Sequence, residues 1–140
     1  MPPISSLLRD WLSGAARPPI AEFFDLKLLH AEGGTATIEV HVSRRHHNPT
    51  GTVHGGVFAD LADAAMGSAL AGLLADGEAF TTTDLAVHFL VPVREGTLRA
   101  RATVVRRGRS AAYIECDVQT ADVTLVAKAQ STCLMARTAA

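Results

Sequence analysis

The chain has 140 residues, of which 48% are hydrophobic and 19% charged, and its formal net charge at pH 7 is −1. That length fits one domain around one hydrophobic core, and the composition is typical of a globular rather than a disordered protein. A net charge so near zero argues against nucleic acid as a general partner and gives no reason to expect attraction to a membrane surface.

The cysteines and the N-terminus give no sign of secretion. Cys116 and Cys133 lie far apart and lack the spacing of a metal site. We expect buried free thiols, since a disulfide would require the strands that carry them to be neighbours. The first residues lack a basic-then-apolar signal pattern, and no uncharged apolar run reaches about 18 residues. The sequence therefore predicts a cytoplasmic protein without a membrane partner.

The first element in chain order is a short amphipathic helix in SSLLRDWLSG. Its leucines and Trp11 recur at helical spacing, and Gly14 ends the pattern. A Pro-Pro pair then interrupts the chain. We therefore expect residues 1–19 to form an N-terminal helical extension and residues 20–140 to form a single domain.

Two strands and a long helix follow. The segment FFDLKLLHAEGGTATIEVHVS predicts two strands joined at a Gly-Gly turn. After a loop, a helix is predicted over about residues 57–75, with apolar residues around most of its circumference, which indicates burial on nearly all sides. Gly67 and Gly72 each cost about 1 kcal/mol relative to alanine inside a helix. Their presence predicts that another part of the backbone approaches closely there.

The rest of the chain has strand character. Four segments carry it: FTTTDLAVHFLVPV, GTLRARATVVRRG, SAAYIECDVQTAD and VTLVAKAQSTCLMA. The second and third alternate apolar and polar residues, as strands with one buried face do. One long helix among about six mostly antiparallel strands predicts an α+β fold, in which the helix lies across one face of a single sheet.

The start of the long helix has the composition of a site for a polarised oxygen. Gly55 and Gly56 lack side chains, so a ligand can approach the backbone. The first N–H groups of a helix have no internal partner and carry partial positive charge, which suits a carbonyl oxygen or an oxyanion. The alternative is that this Gly-Gly pair is only a tight turn into the helix.

The same helix carries two carboxylates, which we interpret differently. Asp60 is expected in or near the first turn, where the helix dipole favours a negative charge. Asp63 is expected about two turns in, where that benefit has faded and an unpartnered buried carboxylate is costly. Asp63 is therefore the better functional candidate, with a satisfied structural carboxylate as the alternative.

The spacing of Gly55 and Asp63 constrains any shared site. Asp63 follows Gly55 by eight residues, which is about 12 Å along a helix axis. One helix cannot bring both groups to the same small carbonyl. If both act on one reacting centre, two chains must supply them, from helices that run antiparallel across a twofold axis.

These residues resemble those of a known family, the hotdog-fold acyl-CoA thioesterases of the phenylacetate-degradation (PaaI-like) type. The resemblance covers roughly residues 20–137, and its pattern is Asn-Pro-x-Gly-x-x-His-Gly-Gly with an acidic residue eight positions after the first glycine of the pair. Here the pattern consists of Asn48, Pro49, Gly51, His54, Gly55, Gly56 and Asp63. The resemblance implies a hotdog fold, a dimer or a dimer of dimers, and a site shared between subunits.

The resemblance also implies catalytic roles. The Gly55 N–H would polarise the thioester carbonyl, and Asn48 would help to hold the carbonyl or the attacking water. Asp63 of the facing subunit would be the general base toward water, or else the nucleophile. His54 is interpreted as ordering the loop by hydrogen bonding rather than as taking a proton.

Relatives of this type use a small hydroxyl residue two positions before an Asp on the strand after the helix. Thr82 precedes Asp84 in this way, and Thr81 and Thr83 stay open as alternatives. Strand alternation predicts that Thr82 lies on the side of Asp84 and away from Phe89.

Substrate contacts are expected at several places. Gly56 belongs to the Gly-Gly pocket, while Phe58, Leu61, Met66 and the residues before the first strand are candidates for lining an acyl pocket. The loop RRGRS offers Arg106, Arg107 and Arg109 to the phosphates of coenzyme A. Arg109 with Ser110 is the better pair, because relatives often place such a step beside the pantetheine-phosphate channel. A solvated turn is the alternative.

Neither a metal nor a separate cofactor is expected. His46 and His47 are adjacent, so their rings point in different directions, and no acidic or cysteine residue is spaced to complete a zinc site. Coenzyme A is part of the substrate of the family.

The function implied is hydrolysis of aryl or medium-chain acyl-CoA thioesters. One alternative is a hotdog-fold hydratase or dehydratase, but His54 precedes Asp63 by nine residues, opposite to the common hydratase order. The other is a non-catalytic acyl-CoA-binding domain, which would have no use for a buried acid at Asp63.

Overall fold

The computed structural model describes residues 2–138, which form one six-stranded sheet and three α-helices. The helices are α1 (Ile4–Ser13), α2 (Pro19–Phe24) and α3 (Gly55–Ala71). The strands are β1 (Lys27–Glu32), β2 (Thr35–Val42), β3 (Glu78–Phe89), β4 (Gly96–Arg107), β5 (Ala111–Thr120) and β6 (Leu125–Arg137). The strand order is β1-β2-β4-β5-β6-β3, with every pair antiparallel. The predicted α+β architecture is confirmed.

The core lies between α3 and one face of the sheet. Alternate residues of the strands point toward the helix, which follows from the period of two in a β-strand. The buried face of α3 consists of Val57, Phe58, Leu61, Ala62, Ala65, Met66, Ala69 and Leu70. Ten of the 17 residues of α3 are buried, and Gly56 is the one exposed residue. Burial on nearly all sides is therefore confirmed, except along a half-buried stripe that carries Asp60, Asp63 and Gly67.

The helix begins and ends earlier than predicted. It starts at Gly55 with His54 as its N-cap and ends at Ala71, so Gly72 is the C-cap rather than an interior residue. The prediction overran because two leucines continue the apolar pattern past Gly72. Gly67 alone of the two lies inside the helix, and a Cβ atom there would be 3.2 Å from Cζ of Phe80. The close neighbour is a side-chain ring rather than a second backbone.

The prediction that the first strand includes the Phe-Phe pair is wrong. Those residues belong to α2, which begins at Pro19 because a proline at the first helical position supplies a suitable φ and lacks only an N–H that would be unpaired. Asp25 ends the helix with φ 58°. β1 begins after it, at Lys27.

The predicted N-terminal helix is confirmed as α1. It ends at Gly14, whose φ of 78° is of the left-handed kind that favours glycine. The helix lies against β1 and α3 and packs Ile4, Leu8 and Trp11 onto the rest of the molecule. Among residues 2–138, no helix is long and apolar enough to cross a membrane.

Strand β3 is one of the two edge strands of the sheet and runs antiparallel to α3. Phe80 near its start lies beside Gly67, whereas a Cβ atom at Gly55 would be 3.0 Å from Cζ of Phe89 at its end. Within the described residues, β3 pairs only with β6. The strand also exposes apolar side chains, including Leu85 at 38% and Phe89 at 58%.

The two cysteines lie on the neighbouring strands β5 and β6, yet they do not face each other. Cys116 pairs with Ala129, and Cys133 pairs with Ala112. Four residues along the strands separate them, so a disulfide would require the register to change. Both are buried free thiols, as expected.

Candidate active site

The start of α3 combines a capped helix with one free donor. The Nδ1 atom of His54 accepts a hydrogen bond of 2.9 Å from the Gly56 N–H, which requires Nδ1 to be unprotonated. The Val57 N–H donates to the His54 carbonyl. Among residues 2–138, the Gly55 N–H donates to nothing. That donor, at the positive end of the helix dipole, is suited to a carbonyl oxygen.

The side chain of Asn48 closes the loop that leads into α3. Its Oδ1 accepts from the N–H and hydroxyl groups of Thr50 and from the Thr52 N–H, and its Nδ2 donates to the Thr52 hydroxyl. These bonds use both atoms of the carboxamide and leave one N–H of Nδ2 free. In the observed position, the Asn48 side chain therefore stabilises the loop and does not contribute a second group to the helix start.

Asp63 lies half-buried on the side of α3 that faces the edge strand β3. Burial raises the pKa of its carboxyl, and a hydrogen bond from the Thr82 hydroxyl opposes part of that rise. Thr82 Oγ1 is also 3.6 Å from Cys133 Sγ. A hydroxyl has one proton, so Thr82 can donate to the carboxylate only if Cys133 is the donor in the second contact.

The face predicted for Thr82 is wrong, although the structure does place it beside Asp63. A β-bulge between Thr82 and Asp84 shifts the register of β3 against β6 and breaks the alternation. Thr82 therefore lies on the helix side together with Phe89, which contacts Phe58 edge to face at 5.8 Å. Asp84 is exposed and accepts a hydrogen bond from the Thr132 N–H.

Asp60 is the residue whose environment the sequence misjudged most. It is the sixth residue of α3, and no acidic residue occupies the first turn, so the helix dipole does not explain it. Its Oδ2 atom is buried without a hydrogen-bond partner in the described part of the chain. Burial, and then the charge of Asp63, raise the pKa of Asp60 to about 6. The spacing of three residues, which puts both carboxylates on one helix face, was the signal available.

The two halves of the motif lie apart in one chain. Gly55 is beside Phe89 at one end of β3, and Asp63 is beside Thr82 toward the other. The helix itself separates Gly55 from Asp63 by about 12 Å along its axis. A single copy of the chain therefore does not bring the free N–H and the carboxylate to one carbonyl group.

The other predicted substrate residues are scattered. Gly56 is exposed at the helix start, while Phe58, Leu61 and Met66 are buried against the sheet and line no cavity beside Asp63. Arg109 and Ser110 are exposed in the turn between β4 and β5.

The arginines around that turn differ in their contacts. Arg107 is held by Glu78 through contacts of 2.8 and 3.0 Å from one guanidinium nitrogen to both carboxylate oxygens. Arg109 forms no ion pair within residues 2–138. Arg109 is therefore free for a ligand, whereas Arg107 is not.

Residues before β1 line a cavity beside Asp63, although whether that cavity is the predicted acyl pocket stays a prediction. A cavity of about 320 Å³ opens beside Asp63 and Thr82, and its walls come from α1, α3 and β3. Its apolar lining includes Leu7, Leu8, Trp11 and Phe80. An acid at one side of an apolar cavity is an arrangement suited to a substrate with a polar reacting group and an apolar tail.

The adjacent histidines bond to separate backbone groups. The Nδ1 atom of His46 accepts from the Ser43 N–H at 3.0 Å, and Nε2 of His47 lies 2.6 Å from the Arg94 carbonyl oxygen. In the part of the chain that the structure describes, no group of three potential metal ligands comes together.

Comparison with known proteins identifies the family. The Thioesterase superfamily model matches residues 50–127. A Saccharolobus solfataricus protein named as a putative esterase is 29% identical over 119 residues, which cover 85% of this chain and 84% of that one.

Solved structures with the same fold include the phenylacetic acid degradation-related protein of Ralstonia eutropha, with a TM-score of 0.83 and 28% identity over 91% of this chain and 98% of that one. A mutant of the phenylacetic acid degradation protein PaaI from Thermus thermophilus matches with a TM-score of 0.78 and 27% identity, over 84% of this chain and 98% of that one. The chain therefore belongs to the thioesterase superfamily: it is a hotdog-fold thioester hydrolase of the PaaI-like type.

Proposed function

We propose that the protein hydrolyses aryl or medium-chain acyl-CoA thioesters to the free acid and coenzyme A, as a cytoplasmic homodimer or dimer of dimers whose sites are shared between two copies. One observation carries the proposal. The Asp63 carboxyl, with its raised pKa, lies beside Thr82 at an apolar cavity, while the free N–H of Gly55 lies at the far end of β3.

The chemistry requires three groups. Asp63 takes a proton from a water molecule, whose oxygen forms a bond to the thioester carbonyl carbon. The charge that develops on the carbonyl oxygen is stabilised by the Gly55 N–H at the helix start. The C–S bond then breaks, and the thiolate of coenzyme A takes up a proton. A carboxyl with a raised pKa is a better base near neutral pH than an ordinary one, which favours this role for Asp63 over that of nucleophile.

Supporting roles follow from the contacts. Thr82 holds the Asp63 carboxylate by a hydrogen bond to its charged form. His54 caps α3 and fixes the direction of the first N–H groups, and Asn48 fixes the preceding loop. Arg109 and Ser110 contact the phosphate part of coenzyme A. Their turn adjoins Ala112 of β5, which pairs with Cys133 of β6, and Cys133 in turn pairs with Thr82.

The edge of β3 supplies the surface for the second copy. A long edge strand with exposed apolar residues is prone to pair with another strand. Antiparallel pairing about a twofold axis between residues 85 and 86 sets Thr82 opposite Phe89 of the second copy. Because Phe89 lies beside Gly55, the second copy's Gly55 then approaches Asp63 of the first. Each dimer has two such sites.

A thiol-release assay over a panel of aryl- and alkyl-CoA thioesters tests the proposed activity. We expect coenzyme A to be released from at least one class of ester, with the Asp63→Asn variant as the matched inactive control. Absence of release across the whole panel would overturn the proposal. The same enzyme preparation is also incubated with an enoyl-CoA. Addition of water to that ester would instead identify the hydratase alternative.

A further inference from the structure

We infer that α1 forms the far wall of the acyl subsite and that this wall limits the substrate to one aryl ring or one alkyl chain of medium length. The inference rests on the proposed function, because it assigns the cavity beside Asp63 to the acyl part of the thioester. The segment responsible, Ile4–Ser13, lies outside the residues that match the thioesterase family model, which begin at residue 50.

The cavity has the chemistry of an acyl pocket. Its volume of about 320 Å³ is at the lower end for ligand sites, so it fits a compact group. Of the thirteen residues that line it, only Asp63, Ser68 and Thr82 carry a carboxyl or hydroxyl group. Asp63 and Thr82 mark the side where the thioester must lie if Asp63 acts on it. The apolar remainder is then left for the tail of the acyl group.

The cavity between α1 and α3 is a cleft that opens to solvent. Ile4, Leu8 and Trp11 of α1 face the rest of the molecule, but no residue of α1 is fully buried. Leu7, which also lines the cleft, is 45% exposed. A cleft with a mostly apolar lining and a few polar groups at one side is the common form of a small-molecule site.

Trp11 has a buried polar group whose hydrogen-bonding need the described part of the fold does not satisfy. Its indole N–H is buried and has no hydrogen-bond partner among residues 2–138. A buried donor without an acceptor is destabilising, and such groups in folded proteins call for an explanation. The ring lines the cavity as a broad apolar wall. Forming this wall explains the presence of Trp11 without requiring that it stabilise the fold.

Small residues of α3 form the opposite wall. Ala64, Gly67 and Ala71 line the cavity on the helix. Phe80 of β3 also lines it and lies against Gly67, where a Cβ atom would be 3.2 Å from the ring. The distance between these small residues and α1 therefore sets the width available to the acyl group.

Trp11 also provides a direct reporter, because it is the only tryptophan in the chain. The binding experiment uses the Asp63→Asn variant, which prevents turnover, and follows tryptophan fluorescence during titration with phenylacetyl-CoA, hexanoyl-CoA, decanoyl-CoA and free coenzyme A. We expect a saturable change with at least one acyl ester and none with coenzyme A alone. A signal that responds equally to coenzyme A and to its esters would overturn the inference.

Two variants of opposite size test the wall itself. Trp11→Ala enlarges the cavity and should shift kcat/KM toward longer chains, whereas Ala64→Leu fills it and should shift kcat/KM toward shorter ones. One methylene group in an apolar pocket discriminates by about tenfold or more, so we expect changes of at least that size in the ratio of decanoyl to hexanoyl ester.

Leu12→Ala is the matched control, because Leu12 lies on α1 next to Trp11 but does not line the cavity. It should leave the chain-length profile unchanged. The inference would be overturned if Trp11→Ala and Ala64→Leu moved the chain-length preference in the same direction, or if Leu12→Ala moved it equally. Either result would point to general loosening of α1, which does not favour longer or shorter chains in a predictable way.

The binding and turnover results separate the two proposals. An acyl-dependent fluorescence change without hydrolysis of any ester by the wild type supports the subsite and overturns the proposed activity. Hydrolysis with a chain-length profile that none of the variants moves supports the activity and overturns the subsite.

Discussion

The two ends of the motif in α3 differ in how their polar groups are satisfied. At the helix start, His54 and Asn48 pair the local groups and leave one donor, the Gly55 N–H, without an acceptor in the described chain. One to two turns later, Asp60 and Asp63 present carboxylates whose pKa values burial raises. One end holds a donor without an acceptor, and the other holds carboxylate oxygens of which one, Oδ2 of Asp60, has no donor in the described chain. In the proposed dimer, two antiparallel copies of the helix would bring these two ends together, and each copy alone would hold only half-sites.

The largest effect is expected from removing the Asp63 carboxylate, two turns into α3. Asp63→Asn preserves volume but removes the base, and loss of a general base typically lowers the rate by about 10²–10⁴-fold. Turnover of the best CoA ester, with thermal unfolding as the check on folding, measures it. Asp60→Asn is the matched control on the same helix face and should retain most of the activity. If Asp60→Asn were the crippling change, the roles of the two residues would be reversed.

At the first end, Gly55→Val should reduce turnover by about 10²–10³-fold, as expected for losing one oxyanion donor. The new side chain would stand over the N–H, and its Cβ atom would press on the Phe89 ring, which is 3.0 Å away. Kinetics of the double variant Gly55→Val/Phe89→Ala separate the two causes. Recovery in the double variant would attribute the loss to displacement of Phe89 and contradict a role for the N–H.

A smaller effect should come from Thr82, in the form of a shifted pH profile. Its hydrogen bond lowers the pKa of Asp63, and Asp63 must be ionised to act as a base. Thr82→Val should therefore raise that pKa and move the acidic limb of the kcat/KM profile to higher pH, with a loss of about tenfold on that limb. Thr81→Val and Thr83→Val are the controls, since both residues are exposed. A shift in either control equal to that of Thr82→Val would reassign the hydroxyl.

The smallest effect concerns stability. Because burial raises the pKa of Asp60 from 3.8 to about 6, the folded state binds more protons than the unfolded state between those values, and stability falls as the pH rises through this window. Asp60→Asn removes this dependence.

Denaturant unfolding of the wild type and of Asp60→Asn at pH 4 and at pH 7.5 measures the difference. Relative to wild type, the variant should gain stability at pH 7.5 by on the order of 1–2 kcal/mol, which is less than the full pKa shift implies because the carboxyl is partly solvated. The gain should be smaller at pH 4. A variant that is less stable than wild type at pH 7.5 would show that the Asp60 charge has a partner in the assembled protein.

The sequence predicted the sheet and the central helix because both depend on periodicity, which a single chain displays. It failed where neighbours decide the outcome. The bulge after Thr82 arises from the pairing of β3 with β6, so strand alternation assigned Thr82 to the wrong face. The helix start lies two residues earlier than predicted, at Gly55, and this moves Asp60 out of the first turn.

The cavity could be anticipated only in part. That residues before the first strand would face the acyl group was an expectation from the sequence. That Trp11 lines the cavity depends on the angle at which α1 crosses α3, and that Leu61 and Met66 are buried against the sheet depends on how α3 packs on the strands. Helix crossing is set by packing between distant segments, which local patterns do not encode.

The central claim is that the site needs two chains, and complementation of dead variants tests it most directly. Asp63→Asn and Gly55→Val are mixed under conditions that allow subunits to exchange, with exchange verified by mass spectrometry. In a mixed dimer one interface site collects both lesions and the other collects neither. If dimers form at random, about half are mixed, and activity should return to about a quarter of the wild-type value. Verified exchange without any recovery would contradict the account, because it would mean that the whole site is built within one chain.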